Sequence, residues 1–254
     1  MKIFIETDLE GISGISKIEQ ITERDEYTLK RLMCDVNAAI RGFFDAGVDE
    51  LFVRDSHGGG GNFTVGELDT RAKQIVDRDE IIDSCDGVCV IGAHAMAGTA
   101  NAFLDHTQSS LAWHDYYINS RRLGEMGQLG AYAGAHGIPF IMMSGDLSAC
   151  AEARSCFGCI ETAVVKYADG RNRAKCISDD EAERLIYECA KRSVSLIGKI
   201  KPFQVAFPAK IEIEFNRSDY ADDAMSYYSN LTRIDARRVM KWENDFNKYS
   251  NLKP

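Results

Sequence analysis

The chain has 254 residues, 45% of them hydrophobic, enough to bury one large core or two small ones. Its formal net charge of -9 argues against broad electrostatic binding to nucleic acid or to an anionic membrane surface. No apolar run approaches the roughly 18 residues that a membrane span needs, and a chain that enters a strand directly is expected to carry no secretory signal.

Lys2-Ile3-Phe4-Ile5 reads as a short buried strand running into Glu6-Thr7-Asp8-Leu9-Glu10-Gly11. Side chains alternate along an extended chain, so Glu6, Asp8 and Glu10 point the same way. Three carboxylates at one strand end repel each other unless water or a cation neutralises them, and a divalent metal is the usual solution. A solvated acidic turn is the plainer alternative. A Gly-rich turn follows, then an amphipathic helix at about 23–46 whose apolar face includes Leu32, Val36, Ile40 and Phe43. Thr22 with Asp25 resembles a capping box, and Gly47 supplies the stop. Glu50–Arg54 reads as a second strand, and strand, helix, strand predicts a parallel βαβ unit.

That second strand runs into Asp55-Ser56-His57 and four glycines, 58–61. No Gly-Lys-Ser/Thr or GxGxxG pattern follows, so the glycines read as a flexible loop carrying His57. A weak helical stretch leads to a third strand, Gly87–Gly92, which ends in Ala93-His94-Ala95. Three apolar strands therefore each end in a potential ligand, and parallel neighbours would bring these together at their carboxyl ends. Asp105-His106-Thr107 precedes a strand at Tyr116–Ile118, and Gly124-Glu125 opens a helix rich in small residues. A fourth strand, Ile138–Met143, ends in Ser144-Gly145-Asp146 before a short helix at 147–154.

Further strands are expected at Glu161–Tyr167, Arg171–Cys176 and Lys210–Phe215. Helices are expected at 179–197, capped by Ser178 and Glu181, at 221–229, and at Ala236–Lys248. The eight cysteines read as reduced thiols of a cytoplasmic protein. Cys156 and Cys159 form a lone CxxC with no second pair to complete a zinc site. This order predicts an α/β fold, a mostly parallel sheet with flanking helices in a three-layer α/β/α arrangement over residues 1–155. A smaller C-terminal α+β region would take residues 156–254.

Asp8, Glu10, His57, His94 and Glu125 are three carboxylates and two imidazoles, a set that suits zinc, with manganese or iron as substitutes. Five ligands exceed the needs of one catalytic zinc with an open position. They suit two metals if one carboxylate bridges, and two ions roughly 3.5–4 Å apart activate a water and stabilise the oxyanion of hydrolysis. No GxSxG signature is present. His106 is left over as the natural proton-transfer group or nucleophile.

The ordered set Asp8-x-Glu10-Gly11, Asp55-Ser56-His57, Gly92-Ala93-His94-Ala95, His106, Tyr117-Ile118-Asn119 and Gly124-Glu125 resembles the DppA-type zinc D-aminopeptidases. The likeness extends to Gly145-Asp146, the Ala163–Val165 strand, Arg171 and Lys175-Cys176. It implies two zinc ions per subunit on Asp8, Glu10, His57, His94 and Glu125, with His106 as the catalytic histidine, described in the family as the nucleophile. It also implies short peptide substrates with an N-terminal D-residue, such as D-Ala dipeptides, and a ring-shaped homo-oligomer, a homodecamer. The chain departs from the family at Glu6, at Asp105 and Thr107 beside His106, and in the four-glycine loop. These departures bear on substrate choice more than on metal hydrolysis. Two other readings stay open: a two-metal phosphoesterase drawing on Arg54, Arg121 and Arg122, and a metal- or small-molecule-binding protein without catalysis.

Overall fold

A computed structural model describes residues 1–254. In chain order its elements are β1 (Lys2–Thr7), α1 (Ile18–Glu23), α2 (Glu26–Asp45), β2 (Glu50–Asp55), β3 (Lys73–Ile75), β4 (Gly87–Ala93), β5 (Trp113–Ile118), β6 (Arg121–Arg122), α3 (Glu125–Ala135), β7 (Phe140–Asp146), α4 (Leu147–Phe157), β8 (Glu161–Ala168), β9 (Ala174–Cys176), α5 (Asp179–Ser193), β10 (Ala209–Phe215), α6 (Ser218–Tyr227), β11 (Thr232–Arg233) and β12 (Arg238–Glu243). Seven strands form one sheet in the order β3-β2-β1-β4-β7-β8-β9, parallel except for β9.

Alternation along β1 decides what covers each face. Ile3 and Ile5 join Leu51, Val53, Cys89 and Ile91 against α2 and α5, whereas Phe4, Phe52, Val88 and Val90 join the core on the side of α3 and α4. Strands buried on both faces read as continuous apolar runs, which is why β1, β4 and β7 stand out in the sequence. The second sheet, β11-β12-β10-β5-β6, is antiparallel and packs into the core that holds α3 and α4. No helix is long and apolar enough to cross a membrane. Both sheets draw on both sides of residue 155: β8 and β9 extend the parallel sheet, and β5 and β6 pair with the late strands.

The structure departs from the local expectations at four points. The helix expected from residue 23 is split, with α1 ending at Glu23 and α2 beginning at Glu26. Asp25 alone caps α2, its carboxylate accepting from Thr28 N at 2.8 Å, so Thr22 takes no part. The weak helical stretch before residue 87 instead contains the edge strand β3, paired to β2. The helix predicted over Ala236–Lys248 is strand β12, in register with β10 from Ala209↔Glu243 to Glu214↔Arg238. Its period-two burial, Val239 and Lys241 in and Trp242 out, follows from pairing with a central strand that needs partners on both edges.

A buried polar cluster ties α2 to the turn after β1. Asp35, 0% exposed, accepts from Ser13 N at 2.8 Å and Ser13 Oγ at 2.6 Å and pairs with Arg31 at 3.2 Å. Burial pushes its carboxyl up to about 6, against the pull of the Ser13 hydrogen bonds and the Arg31 charge. The native state then holds more protons than the unfolded chain between about pH 4 and 6, so this group's contribution to stability falls as pH rises through that window. A shift of about two pH units corresponds to roughly 3 kcal/mol at most. Asp35→Asn is therefore expected to flatten the stability profile between pH 4 and 6, read as urea midpoints for variant and parent. An unchanged difference between the two pH values would rule this out.

Candidate metal centre

The order of the parallel sheet reverses beside β1: the chain goes from β1 to β2 on one side, then places β4 on the other. Side chains leaving the carboxyl ends of β1, β2 and β4 therefore meet in one crevice, the place where open α/β sheets bind ligands. Two glycines let the backbones close there. A Cβ on Gly11 would lie 2.1 Å from Ala93 O, and one on Gly92, which has φ +86°, would lie 2.4 Å from Asp8 O. The contact is fixed by Asp8 N donating to Ile91 O at 2.9 Å and Gly11 N to Gly92 O at 2.7 Å.

The approach sets Asp8 Oδ2 3.3 Å from His94 Nε2, which is also 3.3 Å from Glu125 Oε1. His57 Nε2 lies 3.4 Å from Glu10 Oε1. His94 and Glu10 are each only 5% exposed. All five candidate ligands thus stand in one connected group. Asp8, Glu10 and His94 offer donor atoms within 4.8 Å of one another, as do His94, His106 and Glu125. His106 stacks on His94 with ring centroids 3.8 Å apart and planes 10° apart, and its Nε2 is 3.8 Å from Glu125 Oε1. These residues line a cavity of about 630 Å³.

The imidazoles are oriented from behind. His94 Nδ1 faces Ala95 O at 2.9 Å and His106 Nδ1 faces Leu104 O at 2.8 Å. A carbonyl can only accept, so each Nδ1 carries a proton and each Nε2 is the nitrogen turned to the cavity, a lone-pair donor once its ring is neutral. The His57 loop is folded by Asp55, which accepts from Asn62 N at 2.6 Å, while Asn62 Nδ2 donates to His57 O at 2.8 Å. Glu125 opens α3, where the helix dipole favours an anion.

Glu6 lines the cavity too, but its carboxylate lies 3.0 Å from Arg78 and 3.7 Å from Arg54. The charge expected to press on the candidate ligands is neutralised by these guanidiniums. Asp105 accepts from Gly98 N at 2.6 Å and pairs with Arg171 at 3.2 Å, and Thr107 Oγ1 accepts from Ala97 N at 3.2 Å. Both neighbours of His106 therefore build its loop.

The crowding of these charges sets their protonation. Burial and the Glu10 charge push the Asp8 carboxyl well above its usual range. Burial works to lower His57, but its contact with Glu10 raises it to about 9. Burial likewise opposes protonation of His94, and the Glu125 contact with the Asp8 charge raises it well above an ordinary histidine. Glu125, which is half-buried, is drawn down to about 2 by its contact with His94. Protons thus gather where carboxylates crowd, as a cation would. Glu10 Oε2 and His57 Nδ1 are buried with no hydrogen-bond partner. Three carboxylates and two imidazoles, which give up their protons when a cation takes their place, make a donor set that fits a divalent metal. His106 differs, because burial and the adjacent His94 hold it below the usual value.

The model of the family described as D-aminopeptidase matches residues 1–252. The chain belongs to the D-aminopeptidase family. As a member of the D-aminopeptidase family it is a metallo-aminopeptidase, a hydrolase of peptide bonds. A relative named D-aminopeptidase from Bacillus subtilis (strain 168) is 31% identical over 225 residues, covering 85% of this chain and 81% of that one. A solved structure described as Zn-dependent D-aminopeptidase DppA from Bacillus subtilis, a self-compartmentalizing protease, superposes with a TM-score of 0.92. It is 26% identical, over 99% of this chain and 95% of that one.

Sequence reasoning missed the residues that hold the ligand loops of this D-aminopeptidase family member. Lys166, 0% exposed, donates from Nζ to Glu10 O at 2.7 Å and Ile15 O at 2.6 Å. Glu152 accepts from Met96 N at 2.8 Å, and Asp146 accepts from Phe103 N at 2.7 Å. Asp146 was visible at the end of its strand and in the family likeness, though without a role, and a lysine inside the run Ala163–Tyr167 was a further signal, since a buried cation needs acceptors.

Proposed function

We propose that this chain is a zinc-dependent aminopeptidase that cleaves short peptides, particularly those with an N-terminal D-residue. Two zinc ions are held by Asp8, Glu10, His57, His94 and Glu125, and His106 carries the proton. The observation that carries this reading is the meeting of those ligands from three strand ends and α3 in one cavity with His106 against His94. The zinc dependence of the Bacillus subtilis protein of similar structure supports the choice of metal. The self-compartmentalizing nature of that protein supports a homo-oligomeric ring here, with a homodecamer as the expected form. Eight free cysteines support a cytoplasmic location.

Bound zinc supplies Lewis-acid polarisation of the scissile carbonyl and a lowered pKa for the attacking water. The chain's own residues do the rest. The carboxylates and His57 and His94 fix the donor positions, and the carbonyls of Ala95 and Leu104 lock the imidazole tautomers. His106, whose pKa is lowered by burial and by His94, takes a proton from the attacking water at Nε2 and returns it to the leaving amine nitrogen. The peptide nitrogen must gain that proton for the bond to break.

The phosphoesterase alternative lacks a cradle. Arg54 is taken up by Glu6 and Ser56, Arg122 bonds Asp115 and Ala97 O, and Arg121 lies 4.6 Å over the Phe203 ring. Incubating the protein with D-Ala-D-Ala and with p-nitrophenyl phosphate, before and after chelation, separates the readings. Dipeptide cleavage lost on chelation and restored by zinc is expected. Turnover of the phosphate ester alone would overturn it.

A further inference from the structure

Gln108 sits two residues past His106 with φ +61°, a left-handed conformation that a glutamine adopts only when its surroundings impose it. Its backbone N–H donates to Glu125 Oε1 at 2.7 Å, the same oxygen that faces His94. The strained backbone thus aims a donor at a candidate ligand.

The Gln108 side chain is gripped at both ends. Lys253 Nζ donates to its Oε1, and its Nε2 donates to Gln128 Oε1 at 3.1 Å. An ammonium only donates, so the lysine fixes which end of the amide is which. Gln128 is fully buried on α3, the helix that Glu125 opens. Lys253 is itself held. Leu252 is 0% exposed with its carbonyl accepting from Tyr116 OH at 2.9 Å, and Tyr249 N donates to Asp79 at 3.0 Å. The 249–254 segment therefore has anchors of its own, independent of the ammonium.

We propose that Lys253 and Gln108 act together as positioning residues for the metal centre: the lysine clamps the Gln108 side chain, the clamp holds its left-handed backbone, and the backbone N–H orients the Glu125 carboxylate. The anchors at Leu252 and Tyr249 make a tether function for Lys253 superfluous. An outer partner that orients a ligand typically contributes about 10- to 100-fold in metal affinity.

The inference rests on Glu125 as a zinc ligand. The experiment is competition of zinc between the full-length protein and a chromophoric chelator, with thermal unfolding of each metal-free protein alongside. Lys253→Met is expected to weaken zinc binding about 10- to 100-fold while the metal-free midpoint stays near the parent's. Lys253→Arg, which still donates, should retain most of the affinity. Gln108→Leu should lose as much as Lys253→Met, and the double variant no more than either, because both act through one contact. Parent-like affinity in Lys253→Met, or additive losses in the double variant, would overturn the proposal. So would a loss of affinity matched by a loss of metal-free stability that Lys253→Arg fails to rescue. A parent protein that binds no zinc would instead remove the underlying assignment of Glu125.

Discussion

His106→Ala is expected to lower kcat about 10²- to 10⁴-fold, the range that one positioned acid–base group contributes, while zinc content stays at the parent's level. Two features of the imidazole lead there. Leu104 O fixes its tautomer, leaving Nε2 free toward the cavity, and burial with the stacked His94 holds it neutral. A neutral imidazole accepts a proton, whereas His57 and His94 are held by carboxylates that favour cations. His106 also stands with His94 and Glu125 as one of the groups able to hold an ion. Elemental analysis of the variant separates the roles. A fall to one zinc per chain would make His106 a ligand, and unchanged turnover would remove it from the chemistry.

Asp8→Asn is expected to move activity and stability in opposite directions. In the metal-free protein this carboxyl is buried near Glu10 and Glu125, and burial with that charge disfavours its ionised form. An amide of the same shape avoids the cost of burying that carboxyl among other carboxylates, so the metal-free variant should unfold at higher urea, by about 0.5–2 kcal/mol. The same change deletes an anionic donor beside His94, so peptidase activity should fall below detection and zinc affinity should drop at least about 10-fold. A metal-free variant less stable than its parent would contradict the electrostatic account of the site. Retained activity would contradict the role of Asp8.

What could be read from the residues alone follows from where the signals lie. The buried strands β1, β4 and β7 announce themselves because parallel strands covered on both faces are continuous apolar runs. The polar residues at the ends of β1, β2 and β4 break those runs, so Asp8, His57 and His94 are visible in the sequence. The second sheet was not visible, since β5 must cross more than ninety residues to meet β10, a pairing that leaves no local trace. For the same reason β12 reads as a helix until β10 is beside it. The residues behind the ligands are hidden further. Lys166 reaches Glu10 across 156 positions, and Lys253 reaches Gln108 across 145. Glu6 shows the opposite failure: alternation correctly turns it toward the ligands, but only the fold brings Arg78 to neutralise it.

The most direct test of the two-ion centre is anomalous diffraction at the zinc edge from crystals of the zinc-loaded protein. Two peaks roughly 3.5–4 Å apart are expected, bounded by Asp8, Glu10, His57, His94 and Glu125, with His106 Nε2 well beyond the roughly 2.0–2.1 Å of a zinc–nitrogen bond. A single peak, or an ion bonded to His106, would contradict the account.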